Sequence, residues 1–271
     1  MIKQAIIPLA GLGTRLLPLT NVIPKELLPI NGKPGLEYII EECIDAGIKD
    51  IILIISKRKM MIKDYFQRDS IFKKLLKNKK DNRILKEYKK IKKFKKMIRF
   101  VYQNTPTGTG DAILKAKNLI KDNYFLILLP DDLIIKSNCS KSMISVHKKY
   151  NSSVMASINV GNNNVSRWGI YKIKKKLNKN NFLISGVVEK PSKNKAPSNK
   201  AVIGRYILSK KIFKKLKKQK KGKSGEIHIT DAIQSLVLEN NKFIGHNFAG
   251  KYLDCGTMNG YIKSSIKISK I

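Results

Sequence analysis

The sequence predicts an α/β protein, with a mixed, mostly parallel central sheet and helices on both faces. Two observations lead there. Strand-like and helix-like segments alternate along the first half, and the strand-like ones are nearly continuous apolar runs, as in strands covered on both faces. In order, the segments are KQAIIPLA, PGLEYIIEECIDAG, DIILIIS, a long basic helical stretch, IRFVYQ, GDAILKAKNLI and YFLILLP, a repeated strand-helix-strand pattern. After Asn151 the pattern changes to strand candidates SVMASINV, GIYKIKK, FLISGVVEK and AVIGRYILS, separated by polar turns. No Pro- or Gly-rich linker divides the halves, so residues 1–271 are expected to form one domain with a continuous sheet.

The 271 residues carry 56 Lys plus Arg against 19 Asp plus Glu, a formal charge of +37. That charge invites a nucleic-acid or anionic-membrane partner. The 42% hydrophobic content is enough for a sizeable core and excludes intrinsic disorder. Two segments concentrate the charge: Lys73 to Arg99, with 14 basic and two acidic residues, and Lys210 to Lys223. In both, apolar residues recur at helical spacing among the lysines, as in IFKKLLKN and IFKKLKK, the pattern of a solvated helix face.

The opening MIKQAIIPLAG has no charged n-region or cleavage site, and the longest apolar stretches, Ile51 to Ile55 and Phe125 to Leu129, are too short to cross a bilayer. Cys43, Cys139 and Cys255 are odd in number and form no CxxC pair, so neither a disulfide framework nor a zinc site is expected. A soluble cytoplasmic protein follows as the expectation.

The densest chemical signal is the loop after the first strand, Gly11, Leu12, Gly13, Thr14 and Arg15. Glycines at that place let a backbone approach a phosphate or a flat base, with N–H groups free to bind oxygen. The dinucleotide fingerprint would need glycine at Leu16, and the P-loop pattern is missing; the echo at Gly222, Lys223 and Ser224 would need glycine at Lys217. Pro18, Pro24 and Pro29 stiffen the next stretch and hold Arg15 and Lys25 on one short excursion, two cations suited to a polyphosphate. Asp131 and Asp132 end an apolar strand, where carboxylates need solvent or a cation; a helix-capping turn is the other reading, better suited to Asp132 and Asp254 than to Asp131. Glu189 and Lys190, taken alone, read as a surface ion pair, and Gln103 as an ordinary strand-end residue.

The stretch AGLGTRLLPLTNVIPKELLPI resembles the signature of the sugar-nucleotide pyrophosphorylases, which join a nucleoside triphosphate to a sugar 1-phosphate. YQNTPTGTGDA, LLPDDLI, WGIY, VVEKP, APSNKAVIGRYILS, GEIHITDAI and YLDCGT follow in the order expected of the bacterial uridylyltransferase branch, so the resemblance spans nearly the whole chain. It implies a Rossmann-like, glycosyltransferase-A-like fold, with a nucleotide-binding part at about 1–135 and a sugar-binding part at about 136–271. It also implies UTP and glucose 1-phosphate as substrates, Mg²⁺ as cofactor and a homo-oligomer, dimer or tetramer.

Residue by residue, the resemblance implies that Ala10, Gly11, Glu26, Gln103 and Gly108 surround the uracil, with Gly13 and Thr14 in the same nucleotide loop. Arg15 and Lys25 would neutralise the triphosphate, and Asp131 with Asp254 would hold the metal. Glu189 would hold glucose hydroxyls, Lys190 the sugar phosphate, and Gly169 would let the glucose lie against the backbone. Glu189 and Lys190 are adjacent on a strand, so both reach one substrate only if the backbone bends, which Pro191 encourages. Gly204 and Arg205 fall in the matching GRY segment without an assigned role, and His147, His228 and His246 have no chemical task.

Several positions depart from the family pattern. Thr107 and Asp111 stand where lysine and histidine are expected, Trp168 replaces a tyrosine and His228 a glutamine. The alternatives to a uridylyltransferase are a thymidylyltransferase, a non-catalytic regulatory homologue, or a basic RNA-binding protein motivated by charge alone.

Overall fold

The computed structural model describes residues 1–68, 82–222 and 225–270. The first part holds strands β1 (Gln4–Pro8), β2 (Pro29–Ile30), β3 (Lys33–Pro34), β4 (Asp50–Ile55), β5 (Ile98–Tyr102) and β6 (Tyr124–Leu128). The rest are β7 (Asp132–Ile135), β8 (Ser153–Asn159), β9 (Gly169–Lys176), β10 (Asn181–Glu189), β11 (Lys200–Ser209), β12 (Phe243–Asn247) and β13 (Lys251–Asp254). Helices are α1 (Gly35–Asp45), α2 (Met60–Gln67), α3 (Asn82–Met97), α4 (Thr109–Lys115), α5 (Cys139–Tyr150), α6 (Lys211–Lys218), α7 (Ile229–Leu238) and α8 (Met258–Ser269).

Among these residues one sheet takes nine strands from both halves of the chain, in the order β5-β4-β1-β6-β11-β8-β12-β10-β9. The strands β5, β4, β1 and β6 are parallel, as the strand-helix alternation requires. Beyond β6 the pairing is antiparallel except for β8 with β12, so the sheet is mixed and its parallel part is the N-terminal one.

The apolar runs are explained by burial on both faces. In β4, Ile51, Leu53 and Ile55 pack under α1, α2, α3 and α5 with Ile39, Ile40, Phe66, Phe94 and Met143. Ile52 and Ile54 point the other way, into a second core closed by Ile113 of α4, Phe213 of α6 and Ile233 of α7. Alternate residues thus feed opposite cores, and no polar residue is tolerated on either side.

The basic helices behave as their spacing predicts. On α6, Ile212, Phe213 and Leu216 are buried while Lys214, Lys217 and Lys218 face solvent. On α3 only Phe94 is buried. The helical reading of IFKKLLKN, at positions 71–78, and the Lys223 and Ser224 echo lie outside the described residues.

Two two-stranded elements flank the main sheet. The β2–β3 hairpin turns on Asn31 and Gly32, both at positive φ (46° and 82°), the conformation that an Asn-Gly pair adopts most easily. The other, β7 with β13, sets Asp132 opposite Asp254 across a gap of more than a hundred residues.

His246, on β12, sits between β10 and α5 as a structural group, as expected. Its Nδ1 lies 2.8 Å from Asn181 Oδ1 and its Nε2 3.0 Å from Ser142 Oγ, and burial pushes its pKa below the ordinary value. A histidine held neutral when folded takes up a proton more readily when unfolded. Stability therefore falls as pH drops through the unfolded value near 6.5 toward the lower folded one. Thermal melts at pH 7.5 and 5.5 should show a smaller pH-dependent drop for His246→Gln than for the unsubstituted chain; equal drops would remove His246 as a cause.

Candidate active site

A cleft of about 730 Å³ opens at the carboxyl ends of β1 and β6, where an open α/β sheet receives ligands. One wall is the loop from Ala10 to Arg15, the floor is the turn Leu129 to Asp132, and Gln103, Gly108, Trp168 and Asp254 close the sides. A side chain at Gly11 would meet nothing within 4 Å, so the loop leaves open space for a ligand there. Gly13 adopts a left-handed conformation (φ 73°), and its carbonyl accepts from Thr20 Oγ1 at 2.9 Å, which folds the loop back over itself.

The charges converge on Asp131. Lys25 Nζ pairs with its Oδ1, and Arg15 Nη2 lies 3.5 Å from its Oδ2. A Cβ placed on Gly256 would stand 3.1 Å from Arg15 Nη2 and 3.2 Å from both Asp131 Oδ2 and Asp254 Oδ1, so the two carboxylates reach one point and the Arg15 guanidinium shares it. Two hard oxygen donors aimed at one point suit a divalent metal ion that takes its remaining ligands from phosphate and water, with Arg15 turned from Asp131 toward the phosphates. Among the described residues no cluster of three or more His, Cys, Asp or Glu offers a fuller protein cage. Asp254 also accepts from Gly256 N at 2.8 Å and lies 3.7 Å from Arg167 Nη2.

Asp132 does a different job from its neighbour. It is buried, accepting from Gly204 N at 2.6 Å through Oδ2 and from Tyr252 Oη at 2.6 Å through Oδ1. Burial raises its pKa, although Tyr252, Arg205 and Gly204 N–H each pull the other way. A side chain on Gly204 would collide with Leu129 Cβ at 2.4 Å and Asp132 Oδ2 at 2.5 Å, which is why glycine stands there.

Arg205, fully buried, supplies the clamp. Its Nη2 lies 2.8 Å from Glu42 Oε2 and its Nε 3.1 Å from each Glu42 oxygen. Its remaining N–H groups donate to the carbonyls of Leu129, Gly204 and Asp132 at 3.1, 3.0 and 2.6 Å. Glu42 in turn accepts from the Ser140 amide and hydroxyl at the start of α5. The turn bearing Asp131 is thus tied from both ends to the core.

Glu26 lies at the cleft, but its carboxylate is turned inward and spent on Lys59. Both its oxygens lie 2.8 Å from Lys59 Nζ, and neither side chain is more than 7% exposed. Burial draws the Lys59 pKa below its ordinary value, and Glu26 offsets only part of that.

The departures Thr107 and Asp111 meet at Gln103. Gln103 Nε2 donates to Asp111 Oδ2 at 2.7 Å and to the Gly108 carbonyl at 3.2 Å, and Thr107 Oγ1 donates to the same Asp111 oxygen at 2.7 Å. Ile227 zips the loop down, donating to the Thr107 carbonyl and accepting from Gly110 N, both at 2.8 Å. This gives the GEIHITDAI segment a structural task.

Gly169, Glu189 and Lys190 are not among the residues that line this cleft; they adjoin its side at Trp168. The expected bend occurs at Lys190, whose φ of 43° is left-handed even though a proline follows, and its N–H donates to the Trp168 carbonyl at 3.0 Å. A Cβ on Gly169 would stand 3.1 Å from Glu189 Oε2, so this glycine makes room for that carboxylate. Glu42, Lys59, Arg167 and Tyr252 were not singled out from the sequence.

A glycine loop and a cation-flanked carboxylate at the carboxyl edge of a parallel half-sheet are the setting in which a phosphate-bearing ligand binds. The model of the Nucleotidyl transferase family matches residues 4–271, and the chain belongs to that family. It is 38% identical over 270 residues to the UTP–glucose-1-phosphate uridylyltransferase of Mycoplasma pneumoniae, covering 98% of this chain and 91% of that one. The enzyme of the same name from Bacillus subtilis is 37% identical over 269 residues, covering 99% and 91%. A crystal structure of a UDP-glucose pyrophosphorylase complexed with UDP-glucose superposes with a TM-score of 0.89 at 38% identity, covering 100% and 99% of the two chains.

Removing one partner of a buried, hydrogen-bonded ion pair strands the other. Arg205→Leu should therefore cost about 3–5 kcal/mol of stability in urea denaturation. A cost below about 1 kcal/mol would mean that Glu42 is not left as an unpaired buried charge when Arg205 is gone.

Proposed function

We infer that the chain transfers the uridylyl group of UTP to glucose 1-phosphate, forming UDP-glucose and releasing pyrophosphate. The observation that carries this reading is the convergence of Arg15, Lys25 and Asp254 on Asp131 beside the open glycine loop. Full-length relatives that bear the uridylyltransferase name support UTP over dTTP, and an active enzyme over a regulatory homologue or an RNA-binding protein.

In this reading Ala10, Gly11, Glu26, Gln103 and Gly108 take the uracil, with Gly13 and Thr14 shaping the loop around the nucleotide. Arg15 and Lys25 meet the triphosphate and stabilise the leaving pyrophosphate. Glu189 holds the glucose, Gly169 lets it approach, and Lys190 aligns the sugar phosphate from beside Trp168. A phosphate monoester, with its second pKa at about 6, is already mostly dianionic at neutral pH, so no side chain has to remove a proton. Catalysis reduces to alignment of an oxygen on the α-phosphorus and neutralisation of the charge on the phosphates.

Asp131 and Asp254 would hold magnesium through their paired oxygens. Bound there, the ion would supply positive charge to the phosphate oxygens. The division into a nucleotide part at about 1–135 and a sugar part at about 136–271, the homo-oligomeric state and the cytoplasmic location belong to the same proposal. None of the described helices is long and apolar enough to cross a membrane.

Incubation with Mg²⁺, glucose 1-phosphate and each nucleoside triphosphate in turn should release pyrophosphate fastest with UTP. No release with any of them would overturn the enzyme reading, and faster turnover with dTTP would replace UTP. Lys190→Ala should raise KM for glucose 1-phosphate by about tenfold or more, the scale of a lost charged hydrogen bond, while KM for UTP stays put. Unchanged glucose 1-phosphate kinetics would remove Lys190 from the site.

A further inference from the structure

Gln103 lines the cleft yet is only 4% exposed, so which end of its amide faces a ligand decides what it can read. The end facing Asp111 and the Gly108 carbonyl meets two groups that can only accept, so it is the NH₂ group. No described residue donates to Gln103 Oε1, and that atom is not among the sealed, unpartnered oxygens of the core. What Gln103 presents to the cleft is a hydrogen-bond acceptor.

Glu26, at the same cleft, gives both oxygens to Lys59 and its side chain is sealed from solvent, so the acceptor turned to the cleft here is that of Gln103. An acceptor facing a base favours a ring nitrogen that carries hydrogen. Uracil and thymine have one at N3, whereas cytosine has a lone pair there.

We propose that Asp111 is a positioning residue for base selection: by holding the Gln103 amide in one orientation, it makes the cleft accept a base with a ring N–H and reject cytosine. This deepens the uridylyltransferase reading and rests on it. Asp111 is itself held from several sides, by Thr107 Oγ1 at 2.7 Å and by Lys115 Nζ 3.7 Å from its other oxygen. Burial works against its ionisation, but the hydrogen bonds from Thr107 and Gln103 and the Lys115 charge outweigh it and lower its pKa. It stays a carboxylate at neutral pH and has no hydrogen with which to accommodate the flipped amide. Without it, the amide is free to turn over and offer NH₂ to cytosine N3.

The test compares kcat/KM for UTP and CTP in the unsubstituted chain, Asp111→Ala and Asp111→Asn. Asp111→Ala should lower the UTP-to-CTP ratio by about tenfold or more, mainly through KM for UTP, leaving KM for glucose 1-phosphate unchanged. Asp111→Asn keeps an oxygen that can accept from both Gln103 and Thr107, and should stay within about threefold of the original ratio. If Asp111→Ala does not fold, Asp111→Ser withdraws the side chain while keeping a polar first-turn residue on α4, and the same change is expected. A ratio unmoved by Ala or Ser overturns the proposal. If the unsubstituted chain turns over no triphosphate, the parent reading fails by itself. The ratio of UTP to CTP affinities by calorimetry then decides the role of Asp111 by the same criterion.

Discussion

The Glu42–Arg205 pair is the constraint on which the cleft depends. It is buried where α1, β11 and the start of α5 meet, and it leaves no guanidinium face unused. The carbonyls at both ends of the Leu129 to Asp132 turn accept from Arg205, so the turn is fixed by the core and not by its own loop. A charge pair taken out of water contributes little net stability, but it fixes geometry, because any displacement leaves a charge unpaired. With Asp132 bound to Gly204 and Tyr252, its neighbour Asp131 is left to face the cations. Two adjacent aspartates thus divide the work, one holding the turn and the other presented to the ligand.

The parallel half of the fold was legible because a strand buried on both faces has to be apolar throughout, and Ile51 to Ile55 is such a strand. The glycine loop and its two cations were legible too, since local sequence sets a strand end, a turn and a stiff proline stretch. What joins Asp254 to Asp131 was not. The join is the pairing of two short strands, β7 and β13, and the bond from Cys255 N to the Asp131 carbonyl, neither of which leaves a local signal. Resemblance alone brought those carboxylates together at the level of sequence.

Arg205 and Lys59 were hard to read for a related reason. An arginine in a strand and a lysine in the run SKRK look like surface residues, and only tertiary contacts reveal that both are buried opposite glutamates. The Asn31–Gly32 hairpin did carry a local signal, an Asn-Gly pair between short apolar pieces, and it went unread. Among the described residues Lys59 is the only buried lysine. Among the described residues the other lysines and arginines lie mainly on outer helix faces, strand surfaces and turns, and the cleft uses a small share of them.

The central claim is that an oxygen of glucose 1-phosphate attacks the α-phosphorus of UTP in this cleft. Glucose 1-phosphate labelled with ¹⁸O on its phosphate, turned over with unlabelled UTP and followed by ³¹P NMR, tests it directly. The account predicts label in the oxygen bridging the two phosphorus atoms of UDP-glucose and none in pyrophosphate. An unlabelled bridge, or turnover of UTP without UDP-glucose, would contradict it.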